Sequence, residues 1–229
     1  MGAIMETAFC ICYLFGGAAC GIQTLAQSRG NRQRRLFGAL VLVLVCGDAF
    51  HLIPRIYGNL SGRLAEIPAA LGFGTFVTSI TMTVFYVLLY RLWSMRYCQG
   101  KNRLLENVVY FLAAARILIC FHPGNNWLSA ESPLMWGILR NIPFVMLGVV
   151  IMLLFGKISY LDKYFRFAWL AVLLSFLFYL PVVFFAGTMP IIGMLMLPKT
   201  LCYVWLINMG YKATKQMPPL QAIGVGHRE

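Results

Sequence analysis

The chain is 229 residues long, 60% hydrophobic and only 11% charged, with a mean hydropathy of +0.76. A soluble domain is nearer half apolar and about a quarter charged, so too few polar side chains remain to cover a water-facing surface, and most of this chain is expected to have lipid as its solvent. The net charge of +12 does not point to nucleic acid, because fourteen of the nineteen Lys and Arg fall in four segments between or after the hydrophobic runs, the distribution that orients membrane proteins.

Seven apolar runs are long enough to cross a bilayer, at about 20 residues each. The first, 4–26, has Glu6 as its early charge and no basic segment ahead of it, so it reads as a membrane helix rather than a signal peptide. The connector "QSRGNRQRR" carries four positive charges. The second run, 36–57, contains "CGDAFHLIPRIYG", in which Asp48, His51 and Arg55 are spaced i, i+3, i+7 and share one helix face. "GNLSGRLAE" follows with one charge of each sign and an Asn-Leu-Ser sequon at 59–61. The third run, 67–92, has a hydroxyl seam of Thr75, Thr78, Ser79, Thr81 and Thr83, and ends in the basic "RLWSMRYCQGKNR".

The fourth run, 104–122, carries Glu106 at its start and Arg116 further along. "HPGNNWLSAESPL" has Glu131 but no Lys or Arg, and its His122, beside Pro123 and Asn125, suits a turn or cap. The fifth run, 135–156, brings Arg140, Asn141 and Pro143; "KISYLDKYFR" after it is basic. The sixth, 166–187, contains Tyr179 and Pro181, and "GTMP" is neutral. The seventh, 190–211, holds Lys199 directly after Pro198, then Tyr203. Residues 1–212 form one transmembrane domain, and 213–229 a short basic tail.

Basic and non-basic connectors alternate without exception. Short loops rich in Lys and Arg stay in the cytoplasm, so the expected fold is an all-α, seven-transmembrane-helix bundle with its N-terminus outside and its C-terminus cytoplasmic, a multi-pass protein of, most simply, the cell membrane. Outside the basic connectors and apart from Glu106, every ionisable residue within the runs then maps to the outer half. A charge near the bilayer centre costs roughly 3 kcal/mol on insertion scales, so these groups are expected to face one another across a polar cavity. Around it the count is Arg55, Arg116, Arg140 and Lys199 against Glu6, Asp48 and Glu66, a cationic excess. Arginine offers a fork suited to carboxylate or phosphate. Pro54, Pro143, Pro181 and Pro198 lie in the same half, where irregular backbone would line a cavity, and Pro198 is expected to kink the seventh helix beside Lys199.

The leading expectation is a transporter or receptor-like protein that binds a small anionic or amphiphilic ligand in an outward-facing pocket made by Arg55, Arg116, Arg140, Asn141, Tyr179, Lys199 and Tyr203. An alternative is an intramembrane enzyme acting on outer-leaflet lipid head groups, with Asp48 and His51 as its acid–base pair. A third is a structural subunit whose polar seam binds a partner helix. A purely structural role is also open, in which Asp48 pairs with Lys199 or Arg116. A lysine midway along the seventh helix of an N-out bundle resembles the Schiff-base position of rhodopsins. That resemblance implies a retinal-type chromophore on Lys199 with Asp48 as counter-ion, since the third run has no interior carboxylate. The seven cysteines are odd in number, form no CxxC and lie mostly in apolar runs, so they read as packing residues. His51 and His122 lack metal-ligand spacing, so no metal site is expected. Oligomeric state and any other cofactor are not legible here.

Overall fold

A computed structural model describes residues 2–97, 102–129, 133–185 and 189–215. Its helices are α1 (Gly2–Ala26), α2 (Arg32–Ser61), α3 (Pro68–Tyr97), α4 (Arg103–Phe121), α5 (Leu134–Lys157), α6 (Ala168–Phe185) and α7 (Met196–Lys215), with short 3-10 turns at Leu64–Glu66, Pro123–Asn125 and Pro190–Leu195. Seven helices are long and apolar enough to cross a membrane, and no strand occurs among the described residues. Seven such helices are compatible with a polytopic membrane protein. Glu131, Cys98, Lys101 and the tail from residue 216 lie outside the described residues.

Local chemistry sets the helix limits. Asn31 caps α2 by accepting from the Gln33 and Arg34 amides, and Gly62 closes it with φ of 71°, a left-handed conformation that glycine adopts without a Cβ penalty. Asn102 caps α4 through the Leu105 amide. Pro54, Pro143 and Pro181 lie inside helices that continue past them, so the expected breaks at these prolines do not occur. Pro198 is the third residue of α7, within the first turn, where its missing N–H had no intrahelical partner to lose. The expected kink beside Lys199 is therefore replaced by a change of helix type just before it, from 3-10 to α.

Sequential helices pack as neighbours, and α7 closes the ring against α1, α2 and α6, while α3 touches α2, α4 and α5. The core is aromatic: Phe85, Tyr86, Phe144 and Phe155 are fully buried, and Tyr86 meets Phe144 edge-on at 5.2 Å between centroids. Such T-shaped pairs add stabilisation beyond area burial. Ile4, Phe15, Phe111, Leu118, Met135 and Ile191 are exposed on the outside of the bundle, as residues facing acyl chains would be.

Arg34 sits at the start of α2 and donates through Nε to the Thr214 carbonyl of α7 at 2.7 Å and through Nη1 to the Gln27 carbonyl after α1. Gln33 reaches the Met95 carbonyl near the end of α3. One end of the bundle, the basic end, therefore gathers the basic connectors. The connector between α5 and α6 is held there by Asp162, which accepts from Arg96 Nε at 2.7 Å, Tyr97 OH at 2.5 Å and the Tyr164 amide at 2.8 Å. This anchoring delays α6 to Ala168, two residues later than hydropathy suggests. Burial pushes the Asp162 carboxyl up, but the bonds from Tyr97, Arg96 and the Tyr164 amide outweigh it and leave it below the usual carboxylate range. A depressed carboxylate stabilises the fold above its unfolded value and loses that contribution as pH falls through the folded one. Asp162→Asn is thus expected to cost about 2 kcal/mol near neutrality. In melting curves in detergent, the gap from wild type should shrink below about pH 4; a gap that is constant with pH contradicts this assignment.

Candidate functional site

The helical spacing of Asp48, His51 and Arg55 does put them on one face of α2, and α1 and α7 pack over it. Arg55 Nε forms an ion pair with Glu6 of α1. Asp48 Oδ2 accepts a 2.7 Å hydrogen bond from Tyr13 OH. His51 Nδ1 is 3.4 Å from Thr75 Oγ1 on α3. Glu6, Asp48, His51 and Arg55, with Lys199 and Tyr203 of α7, border a cavity of about 60 Å³. Asp48 forms no ion pair with Lys199 or Arg116 among the described residues, so the expected carboxylate–cation pairing gives way to a neutral donor. Tyr13 was not singled out from the sequence. Its signal was present, because Glu6, Cys10 and Tyr13 repeat at i, i+4, i+7 along α1.

A second cavity, also about 60 Å³, lies on the other side of His51 and Lys199 and is bordered by Thr75, Ser79, Arg116 and Tyr179. Arg116 is only 2% exposed. Its Cζ lies 3.4 Å from the centroid of the Phe144 ring, and its Nε and Nη1 are buried without a hydrogen-bond partner. Lys199 Nζ is 4.3 Å from the Tyr179 centroid and 5.9 Å from that of Tyr203. Both cations therefore rest on aromatic faces rather than on carboxylates. A desolvated cation–π contact is worth about 2 kcal/mol, less than a buried cation forgoes when it lacks an anion.

The hydroxyls around this space offer little to a ligand. Thr75, Ser79 and Thr83 donate to carbonyls four residues back, and Thr78 donates to the Gly47 carbonyl on α2. Tyr179 donates to Asn141 Oδ1 at 2.8 Å, while Asn141 Nδ2 bonds the Gly137 carbonyl. Asn141, buried at the α5–α6 contact, thus orients the ring that carries Lys199. Of the side chains bordering this space, Arg116 is the one with buried donors left without a partner among the described residues.

Other residues of the expected pocket point elsewhere. Arg140 Nη1 donates to Asn125 Oδ1 at 3.0 Å and its guanidinium lies 4.4 Å from the Trp127 ring centroid, so it fastens the α4–α5 connector to α5. Glu66 is exposed and paired with Arg63 at 3.8 Å, which removes it from the cavity's charge count. His122 takes the expected turn role, accepting from the Gly124 amide and stacking on Trp136. Among the described residues no three His, Cys, Asp or Glu side chains assemble as metal ligands.

The resulting balance decides the chemistry. Glu6 and Arg55 neutralise each other, leaving Asp48 as one negative charge beside Lys199 and Arg116 as two positive ones. With all three ionised, the site carries one positive charge in excess. Both spaces, at about 60 Å³ each, are small beside the roughly 300–1,000 Å³ of drug-sized ligand sites. Comparison of the chain with protein-family models, curated proteins and solved structures gave no match.

Proposed function

We propose that this protein binds a small monovalent anion, such as a short carboxylate, at Arg116 and Lys199, and that it acts as a transporter or receptor-like module of the membrane. The observation that carries this reading is Arg116, a buried guanidinium with two unpartnered nitrogens on a residue that lines a cavity with one positive charge in excess. The site lies in the half of the bundle away from the basic end. With Lys- and Arg-rich connectors held in the cytoplasm, that half faces outward, and the Glu6–Arg55 pair lies toward the exoplasmic rim. An amphiphile is accommodated only by its head group. The acid–base reading is less well supported, because Asp48 and His51 make no bond to each other among the described residues; their partners are Tyr13 and Thr75.

The test is the melting temperature of the purified protein in mild detergent, titrated at pH 8 with nitrate, chloride, formate, sulfate and phosphate at constant ionic strength. Binding to the folded state stabilises it by RT ln(1 + [L]/Kd), about 2.7 kcal/mol at a hundred times Kd. The monoanions should raise the melting temperature saturably, and the dianions should not. No anion-specific shift, or an equal shift with sulfate, would overturn the proposal.

A further inference from the structure

Lys199 and His51 border both cavities, the one that holds Asp48 and the one that holds Arg116. The ammonium of Lys199 therefore sits between a carboxylate on one side and an anion-deficient guanidinium on the other. Asp48 does not close on it, and its carboxylate is held instead by Tyr13 OH of α1. The groups facing Asp48 come from every helix packed on α2: Glu6, Cys10 and Tyr13 from α1, Lys199 and Tyr203 from α7, and the hydroxyl of Thr78 from α3, with His51 and Arg55 on α2 itself. Glu6 is committed to Arg55. Asp48 is thus the one carboxylate whose charge competes with a bound anion for Lys199.

Resting on the anion-binding reading above, we infer that Asp48 is a proton-binding site coupled to the anion site, so that one proton and one monoanion bind together. The step is a simple protonation: an aqueous proton from the exoplasmic side adds to a carboxylate oxygen, and no other bond breaks. Protonated, Asp48 no longer attracts Lys199, and both cations are free for the anion. The pair adds no net charge, so the loaded site carries the same charge as the empty one. By linkage the effect is reciprocal, and the anion favours the proton as much as the proton favours the anion. Between two faces of a membrane, such coupling would let a proton gradient drive anion uptake.

The experiment uses nitrate, which does not titrate between pH 5 and 8. Its affinity for purified wild type is measured across that range by titration in detergent, and its uptake is followed in proteoliposomes with and without an inwardly directed proton gradient. Affinity should rise roughly tenfold toward acid pH, a typical coupling factor, and the gradient should drive accumulation. Asp48→Asn, a neutral mimic of the protonated side chain, should bind as tightly at pH 8 as wild type does at pH 5 and lose the gradient response. Tyr13→Phe, which removes the donor to the carboxylate, should move the midpoint of the pH dependence toward higher pH, and it keeps the test decisive if Asp48→Asn fails to fold. Nitrate binding that is flat with pH in wild type overturns the coupling while leaving the anion site standing. Loss of the pH dependence in His51→Gln but not in Asp48→Asn places the proton on the imidazole and overturns it too. No nitrate binding at any pH removes the anion reading itself.

Discussion

Arg116→Met is expected to melt at a higher temperature than wild type in anion-free detergent and to lose the stabilisation by nitrate altogether. The two effects have one cause. In the empty site a full positive charge is 2% exposed, set against a ring face, with Nε and Nη1 unpartnered. A buried charge without its counter-charge opposes folding, and replacing it by an apolar side chain of similar length recovers roughly 2 kcal/mol. Methionine adapts to irregular space and keeps favourable contact with the Phe144 ring. The same substitution removes the stronger of the site's two cations, so a monoanion finds only Lys199. A structural arginine would behave in the opposite way, and a lower melting temperature with the nitrate shift intact would contradict the assignment of this site.

Gly74→Ala is expected to destabilise the bundle by about 3 kcal/mol, the upper range for an added methyl in a packed core. A Cβ at Gly74 would meet the Phe50 carbonyl and His51 Cα, which are backbone atoms of α2 with no rotamer to yield. The contact is tied to Pro54. Proline has no N–H to bond the carbonyl four residues back, which is that of Phe50, and the bare Cα of Gly74 approaches that oxygen. Forcing α3 away would also displace His51 from the wall shared by the two cavities, so nitrate affinity should fall together with the melting temperature. Gly16→Ala is the control: nothing lies within 4 Å of its Cβ position, and alanine is the better helix former by about 1 kcal/mol. It should melt at or above the wild-type temperature. Equal losses at both positions would mean that the α2–α3 seat is not what Gly74 provides.

These outcomes bear on the two levels of the proposal separately. Arg116→Met tests whether an anion is missing, and Gly74→Ala tests whether helix spacing sets the geometry that receives it. The pH series on Asp48 is meaningful once the first has succeeded. Asp162, at the basic end, belongs to a different network, that of Arg96, Tyr97 and Tyr164, and its acid sensitivity is told apart from proton coupling at Asp48 by the Asp162→Asn variant.

Hydropathy and length were enough to place seven spans, because burying a backbone in lipid demands a long apolar helix whatever its neighbours are. The grouping of Asp48, His51, Arg116 and Lys199 in one half of the bundle was legible for the same reason, since depth follows from position along a span. Partner choice was not. Which carboxylate meets which cation depends on the rotation of each helix about its axis, set by contacts such as Gly74 against Phe50 and Gly47 against Thr81. Only the packed bundle turns Tyr13 toward Asp48, pairs Glu6 with Arg55, draws Arg140 to Asn125 and Trp127, and leaves Arg116 on Phe144 without an anion. Periodicity gives each helix a face, but the relative turn of seven helices is a long-range property decided by packing.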